Sequence, residues 1–295
     1  MTHSQPRSPD PFSIDLSQAQ QLPSLPNDAQ VQDLWQHLGW QPTESQWQLF
    51  QRLYHGILLG NRIVNLTRIT KPEEFLEKHL WDSLSGLRCL SPQTDAQIDQ
   101  NQVVALEEEL SPEASLPRMS LPAAARVIDI GSGAGFPGIP VAIAQPQWQV
   151  TLLDSTRKKT AFLDVLCDTL PLAYVRTLSH RAEAAGRQPA HREQYDLALL
   201  RAVAPASVCA EYALPFLRVG GLAVLYRGHW SNDETSTLLS SVEMLGGELL
   251  HIDAFQTPLT GGDRHCVILK KVVATPSEFP RAVGIPNQKP LGLSL

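Results

Sequence analysis

A glycine-rich loop between a predicted strand and a predicted helix constrains the fold of this chain more than any other feature. Residues 127–138 read Val-Ile-Asp-Ile-Gly-Ser-Gly-Ala-Gly-Phe-Pro-Gly, an apolar run followed by closely spaced glycines. Glycine lets the backbone turn sharply and approach a ligand closely, and the start of a following helix presents free N–H groups. The segment therefore predicts a ligand-binding loop at the edge of a parallel α/β sheet.

The spacing of these glycines separates two classes of ligand. A dinucleotide-binding fingerprint, GxGxxG, requires glycine at position 136, where this chain has Phe136. The pattern present is GxGxG, formed by Gly131, Gly133 and Gly135, which suits a ligand with a carboxylate and a ribose but no pyrophosphate. Asp154 ends the next apolar run, where an acidic side chain accepts hydrogen bonds from ribose hydroxyls.

Strand-like and helix-like segments alternate from residue 126 onward, which predicts an α/β fold with a mostly parallel sheet. Seven strands are predicted, at 126–130, 149–154, 173–177, 197–201, 222–226, 247–255 and 265–271. Only a loop separates the last two, so we expect them to be antiparallel. Helices are predicted at 138–144, 157–169, 206–217 and 232–245, on both faces of the sheet.

The chain divides into five predicted regions by composition. A disordered tail (1–30), a helical segment (31–90) and an acidic, flexible insertion (91–122) precede the α/β domain (123–275), and a tail (276–295) follows it. Within the helical segment, Thr70 and Glu73 form a capping-box pattern that predicts a helix start. The net charge is −6, but the tail and the insertion contain nine of the acidic residues. The rest is close to neutral, which permits a nucleic-acid partner without arguing for one.

Several functional classes are disfavoured. The four cysteines are scattered without a CxxC pair, so we expect neither a metal site nor disulfides. No apolar run approaches the length of a membrane helix, and no signal-peptide pattern is present, so a cytoplasmic protein is expected. No apolar stripe calls for a partner subunit, and a monomer is the expectation.

The chain resembles the ribosomal RNA small subunit methyltransferase G family, also called glucose-inhibited division protein B. The resemblance covers residues 31–90 and 123–291. It is carried by residues 61–67 (NRIVNLT), 78–84 (KHLWDSL), 129–140 (DIGSGAGFPGIP), 152–155 (LLDS), 181–183 (RAE), 201–204 (RAVA) and 279–286 (FPRAVGIP). It implies a Rossmann-like class I methyltransferase with seven strands, S-adenosylmethionine as cofactor, and N7 of a guanine in 16S rRNA, free or in the small ribosomal subunit, as methyl acceptor.

The resemblance also implies roles for individual residues. The implied cofactor-binding residues are Gly131, Gly133, Phe136, Asp154, Ser155, Thr156, Ala182, Glu183 and Arg201. Arg201 is also the candidate catalytic residue, near the methyl donor and the target; a surface salt bridge is the alternative. Asn65, His79 and Arg281 are candidate RNA contacts. A helix cap for Asn65, an i, i+3 pair with Asp82 for His79 and a solvated charge for Arg281 are the competing interpretations.

Three departures from the family pattern and three other functions stay open. The insertion and the N-terminal tail are longer than usual, and Arg227 stands where the family usually has lysine. A methyltransferase for a small molecule or another RNA has the same cofactor motif. A nicotinamide oxidoreductase is disfavoured by Phe136, and a non-catalytic RNA-binding protein by the intact pocket residues.

Overall fold

The computed structural model describes residues 14, 16–27, 29–92 and 119–292. Nine strands lie in these ranges: β1 (Leu90–Pro92), β2 (Met119–Leu121), β3 (Arg126–Ile130), β4 (Gln149–Asp154), β5 (Val175–Ser179), β6 (Tyr195–Arg201), β7 (Leu217–Arg227), β8 (Gly247–Gln256) and β9 (Asp263–Lys271). Strands β3 to β9 are the seven predicted ones. The predicted third strand starts two residues too early, and β7 begins five residues before its prediction.

The seven strands form one sheet in the order β5-β4-β3-β6-β7-β9-β8. All neighbours are parallel except that β9 runs antiparallel to both β7 and β8, which confirms the predicted antiparallel end. The strand order reverses between β3 and β6. The carboxyl ends of strands on either side of such a reversal open a crevice, which is where open α/β folds bind ligands.

Alternate side chains of each strand face opposite sides of the sheet and make two buried cores. Val127 of β3 belongs to one core and its neighbour Ile128 to the other. The first core packs against the N-terminal helices, α5 (Gly138–Ala144) and α6 (Arg157–Thr169). The second packs against α7 (Ala182–Ala185), α8 (Ala206–Ala213) and α9 (Asn232–Met244). The predicted α/β architecture, with helices on both faces, is thus confirmed.

The N-terminal helical segment contains α1 (Ala29–Gln36), α2 (Glu44–Gly60) and one longer helix. That longer helix is built from α3 (Pro72–Phe75), a π-helical turn (Leu76–Trp81) and α4 (Asp82–Ser85). The prediction of a capping box at Thr70 is wrong, because the helix starts at Pro72 after Lys71, which makes no side-chain cap. The Thr70 carbonyl instead accepts a hydrogen bond of 2.7 Å from the Tyr54 hydroxyl.

The predicted disordered tail is too long at its C-terminal side. Residues Leu16–Gln21 form a 3₁₀ helix, and Leu25 is buried. The Gln51 side chain accepts from the Leu25 N–H at 2.9 Å and donates to its carbonyl at 3.0 Å, which fastens this segment to α2. A polar composition predicted disorder, but the buried Leu25 and contacts from Gln51 and His55 of α2 anchor this part of the chain.

The predicted acidic insertion lies mostly outside the described residues, which omit 93–118. Its two flanks, β1 and β2, pair in parallel. Within the described part, no helix has the length and apolar character needed to cross a membrane.

Candidate functional site

Two cavities open at the carboxyl edge of the sheet, one on each side of the β3–β6 reversal. The smaller, about 490 Å³, lies at the ends of β3, β4 and β5 and is lined by Ile130, Gly131, Leu153, Asp154, Ser155, His180, Arg181, Ala182, Glu183, Val203, Tyr212 and Asn287. The larger, about 1050 Å³, lies at the carboxyl ends of β6 and β7 and at the amino end of the antiparallel β9. Five of the predicted cofactor residues line the smaller cavity, which we call the cofactor cavity: Gly131, Asp154, Ser155, Ala182 and Glu183.

The glycine loop adopts its turn through left-handed backbone conformations. Gly131, Gly133 and Gly135 have φ values of +78°, +58° and +94°. A Cβ atom at Gly131 would lie 2.8 Å from the Val203 side chain, so only glycine fits there. This steric limit keeps the backbone of β3 and the loop after β6 close together.

The N–H groups of this loop are less available than the sequence suggested. The Gly131 and Ser132 N–H groups donate to the Leu153 carbonyl at 2.7 and 3.0 Å. The Gly138 N–H, at the start of α5, donates to Asp129 Oδ2 at 2.8 Å. The expectation that this loop offers free N–H donors is therefore wrong for these groups. The glycines supply close approach to a ligand instead.

Asp154 organises the junction between the glycine loop and α6. Its Oδ2 accepts from the Gly133 N–H at 2.9 Å, and its Oδ1 accepts from the Thr156 N–H at 2.7 Å. These two bonds fix the carboxylate at the cavity wall, where each oxygen retains a further lone pair for a ribose hydroxyl. Gly133 and Thr156 thus hold Asp154 in place, and neither lines the cavity itself.

Glu183 forms the opposite wall of the cofactor cavity. It is 1% exposed, and its Oε1 accepts from the Gly284 N–H at 2.9 Å. Its Oε2 is buried without a hydrogen-bond partner among the described residues. Since an unpaired buried carboxylate oxygen is costly, this atom marks a place where a ligand donor fits.

Phe136 is not among the residues that line the cofactor cavity, although the prediction placed it there. Its ring stacks on His79, with centroids 4.4 Å apart and planes 5° from parallel. The Arg201 guanidinium lies 5.6 Å from the centre of the same ring. Phe136 therefore connects the glycine loop to the N-terminal helix and to Arg201.

Arg201, at the end of β6, is held between the N-terminal helix and the sheet. Its Nη1 donates to the Lys78 carbonyl and to Asp82 Oδ2, both at 2.9 Å, and its Nη2 lies 3.2 Å from His79 Nδ1. The other Asp82 oxygen accepts from Arg264 Nε at 3.0 Å. Arg201 forms a largely buried salt bridge with Asp82 and lines the larger cavity, and it is not among the residues that line the cofactor cavity. Its catalytic and cofactor-binding roles stay predictions.

Two buried groups in this network have shifted pKa values. Burial and the nearby Arg201 charge lower the pKa of His79 to about 3. A neutral His79 accepts from Arg201 at Nδ1 and donates from Nε2 to the Thr67 hydroxyl oxygen at 2.8 Å. Burial raises the pKa of Asp129 to about 7, although the bond from Gly138 opposes the shift. A neutral His79 agrees with its contacts with Arg201 and Phe136.

The larger cavity contains residues that the sequence reasoning missed. His229, Arg264 and His265 line it with Arg201 and Arg227, against the acidic Asp82 and Glu234. The lining residues lie near the end of β6, the end of β7 and the start of β9. These places are far apart in the sequence, so no local motif predicted that the residues share a site. Ala202, also in the lining, has a φ of +55°, a backbone strain that occurs often at functional sites.

The candidate RNA contacts have different surroundings. Arg281 is engaged by the fully buried Glu211, with Arg281 Nη2 2.6 Å from Glu211 Oε2, so it fastens the C-terminal tail and the predicted RNA contact has no support here. His79 is 8% exposed and contacts Phe136 and Arg201, and its contact with RNA stays a prediction. Asn65 is exposed in the loop after α2, and its contact with RNA stays a prediction.

The cofactor cavity fits S-adenosylmethionine by its donors and acceptors. Asp154 and the unpaired Glu183 oxygen provide carboxylates for hydroxyl and amine donors, and the glycine loop permits close approach. The Asp129 Oδ1 and Ser132 Oγ atoms are also buried without protein partners among the described residues. S-adenosylmethionine has no phosphate group and therefore needs no free N–H donors from the glycine loop. This agrees with the hydrogen bonds that the loop N–H groups make within the protein.

Comparison with known proteins settles the family. A family model described as rRNA small subunit methyltransferase G matches residues 46–100 and 114–267. Proteins named ribosomal RNA small subunit methyltransferase G from Trichormus variabilis and Nostoc punctiforme are 52% and 50% identical over 89% of this chain and 98% of their own length. The chain belongs to the rRNA small subunit methyltransferase G family.

Family membership confirms the predicted enzyme class. The chain is a methyltransferase, and S-adenosylmethionine is its methyl donor. A protein of the same name from Trichodesmium erythraeum is 49% identical over 89% of this chain. Among solved structures, a putative methyltransferase from Thermoplasma acidophilum matches 52% of this chain at 13% identity and a TM-score of 0.40, too distant to add to the assignment.

One departure from the family pattern has a structural account. Arg227 donates from Nη1 to the Ala204 carbonyl and from Nη2 to Glu234 Oε1, both at 2.9 Å. One planar guanidinium thus joins the loop after β6 to the first turn of α9. A lysine offers a single ammonium at this place and does not reproduce the fork geometry.

Proposed function

We propose that this methyltransferase transfers the methyl group of S-adenosylmethionine to N7 of a guanine in small-subunit ribosomal RNA. The observation that carries the proposal is the pair of cavities at the carboxyl edge of the sheet, one on each side of the β3–β6 reversal. The cofactor cavity holds the methyl donor, and the larger cavity, lined by three arginines and two histidines, receives the nucleotide. The names of the relatives support ribosomal RNA as the substrate.

The chemistry requires little from the protein. Guanine N7 has an unprotonated lone pair near neutral pH, so its attack on a methyl group needs no general base. The cofactor supplies a sulfonium-activated methyl group. The protein aligns the lone pair with that methyl carbon, which is catalysis by proximity and orientation.

Arg201 suits a positioning role in this reaction better than proton transfer. Its guanidinium stays charged and is fixed by Asp82, the Lys78 carbonyl and His79. It lines the larger cavity, where an N–H group that is not used in these contacts would donate to guanine O6, the acceptor next to N7. In this proposal, Arg201 orients the base and takes no proton from it.

The charge around the larger cavity suits a sugar-phosphate chain. Arg201, Arg227 and Arg264 pair with only two acidic residues, Asp82 and Glu234, so the lining keeps an excess of positive charge. Phosphate contacts supply most of the affinity for RNA. We also propose that the enzyme acts as a monomer in the cytoplasm, on the small ribosomal subunit or its rRNA.

Transfer of labelled methyl groups tests this proposal. The purified protein receives labelled S-adenosylmethionine with small ribosomal subunits, free 16S rRNA or bulk tRNA. We expect label in the small-subunit RNA and none in tRNA. Label in tRNA alone, or in a small molecule of a cell extract, would contradict the proposed substrate while leaving the methyltransferase in place.

A matched pair of variants ties the activity to the cofactor cavity. Asp154→Ala removes the carboxylate that accepts from Gly133 and Thr156, and we expect cofactor affinity to fall at least about 10-fold, because hydrogen bonds to charged groups are worth about 1.5–3 kcal/mol. Asp168→Ala, on the exposed face of α6, is the control. Calorimetric affinities that are equal for the two variants would refute the assignment of the cavity.

A further inference from the structure

The C-terminal segment forms one wall of the cofactor cavity. Asn287, in the short helix α10 (Ile285–Gln288), lines the cavity together with Tyr212 of α8. The Gly284 N–H reaches Glu183 Oε1 at 2.9 Å, so the chain passes directly over the Glu183 wall. A segment that follows the last strand of the sheet therefore lies against the ligand site.

A chain of hydrogen bonds with a fixed direction crosses this wall. Asn287 Nδ2 donates to the Tyr212 hydroxyl at 3.1 Å, and that hydroxyl donates to Glu183 Oε1 at 3.4 Å. Because the Asn287 amide nitrogen is used in this way, its Oδ1 is left as an acceptor. Glu183 Oε2 is a second acceptor, buried and unpaired within the described residues. The wall thus offers acceptors to a ligand that has N–H donors.

Charged side chains of the sheet domain fasten this segment in place. Arg281 binds the buried Glu211 through its backbone N–H at 2.8 Å and its guanidinium at 2.6 Å. Arg192 donates to the Phe279 and Thr275 carbonyls, both at 2.7 Å, and Arg187 to the Pro280 carbonyl at 2.8 Å. Ordering a terminal segment costs conformational entropy for each residue. These contacts offset that cost and set the position of Asn287.

We propose that Asn287 is a cofactor-binding residue that recognises the exocyclic amine of the adenine, and that Arg281 and Glu211 position it. The exocyclic amine has two N–H donors, and the wall presents two acceptors, Asn287 Oδ1 and Glu183 Oε2. The proposal rests on S-adenosylmethionine as methyl donor and is independent of which RNA is methylated.

Binding of two cofactor analogues tests the role of Asn287. S-adenosylhomocysteine has the amine, and S-inosylhomocysteine has a carbonyl oxygen in its place. Titration calorimetry on the full chain measures both dissociation constants for the wild type, Asn287→Ala and the control Gln288→Ala, which changes the next exposed residue of α10. Melting curves show that each variant is folded.

We expect Asn287→Ala to weaken S-adenosylhomocysteine about 5- to 10-fold, the effect of one hydrogen bond, and to leave S-inosylhomocysteine nearly unchanged. Gln288→Ala keeps the wild-type affinities. An unchanged affinity of Asn287→Ala for S-adenosylhomocysteine, or an equal loss for both analogues, would overturn the proposal. Neither result depends on methyl transfer to RNA, so a failure here is separate from a failure of the proposed substrate.

The positioning role of Arg281 has its own measurement. Arg281→Gln breaks the pair with Glu211, and we expect weaker S-adenosylhomocysteine binding with little further loss when Asn287→Ala is added. Arg218→Gln, which removes an exposed arginine from its ion pair with the buried Asp196, is the control. Additive losses in the double variant would show that Arg281 acts independently of Asn287 and would remove the positioning claim.

Discussion

At the scale of single residues, the sequence predicted which residues lie near the site, but it did not predict which side chains they contact. Asp154 and Glu183 lie at the cavity wall as predicted, since Asp154 ends a strand and Glu183 belongs to a family motif. Phe136 has an unbroken motif around it, yet its ring faces His79. Arg281 carries a charge typical of RNA binding, but its guanidinium pairs with Glu211, 70 positions earlier in the chain. The role of a side chain such as Phe136 or Arg281 therefore depends on contacts with residues that are distant in the sequence.

A pH dependence of stability follows from His79. Its pKa is about 3 in the folded protein and 6.5 without the surrounding structure, so between these values the unfolded chain binds more protons at this residue. The free energy of unfolding therefore falls as the pH is lowered through this window, by up to about 1.4 kcal/mol per pH unit. Asp129, whose pKa is raised to about 7, acts in the opposite direction, so the wild type alone does not report on His79.

Comparison with His79→Gln isolates this contribution. Urea unfolding at pH 7.5 and pH 4.5 gives the difference in stability between the wild type and the variant at each pH. Relative to the variant, we expect the wild type to lose about 2.7 kcal/mol of unfolding free energy between pH 7.5 and pH 4.5. A difference that is the same at both pH values would mean that His79 titrates normally.

At the scale of elements, periodicity predicted most strands and helices, and the boundaries depended on the local signals. The bounds of β3, β4, α5 and α6 agree with the prediction, because glycines, an aspartate and a change of pattern mark each end. The helix predicted to start at Thr70 starts at Pro72 instead. The capping pattern was present, but the Thr70 carbonyl is held by Tyr54 of the neighbouring helix. Tertiary contacts outweighed a local capping preference there.

Packing between α2 and α6 depends on a glycine that no motif marks. A Cβ atom at Gly60 would lie 2.1 Å from the buried Phe162 ring. We expect Gly60→Ala to lower the free energy of unfolding by about 1–3 kcal/mol through overpacking, and Gly228→Ala, which has open space, to change it by less than about 0.5 kcal/mol. Urea unfolding measures both. If Phe162→Leu did not recover part of the loss, the proposed clash would be excluded.

At the scale of the whole molecule, polar contacts join the N-terminal helices to the far end of the sheet. Tyr226 of β7 donates to the Ser83 carbonyl at 2.7 Å. Glu77, 1% exposed, accepts from the Leu259 and Thr260 N–H groups at 2.6 and 3.0 Å, in the turn between β8 and β9. Helices and sheet were each predicted from the sequence, but contacts spanning more than 140 residues leave no local pattern.

Loss of the Glu77 carboxylate tests this connection. Glu77→Ala leaves two backbone N–H groups without their acceptor, and we expect a loss of about 2–4 kcal/mol in the free energy of unfolding. Glu74→Ala removes only a partly exposed pair with Lys78 at 3.7 Å, and we expect a change below about 0.5 kcal/mol. Circular dichroism and tryptophan fluorescence follow the two unfolding curves. Equal midpoints for the variants would show that the contact does not stabilise the assembled molecule.

Identification of the methylated nucleoside tests the central claim most directly. Small ribosomal subunits and their free rRNA are incubated with the protein and labelled S-adenosylmethionine, the RNA is digested to nucleosides, and the labelled product is separated and weighed by mass spectrometry. The account predicts a single labelled nucleoside, 7-methylguanosine, and its absence with Asp154→Ala. Label in another nucleoside, or at another atom of guanosine, would contradict it.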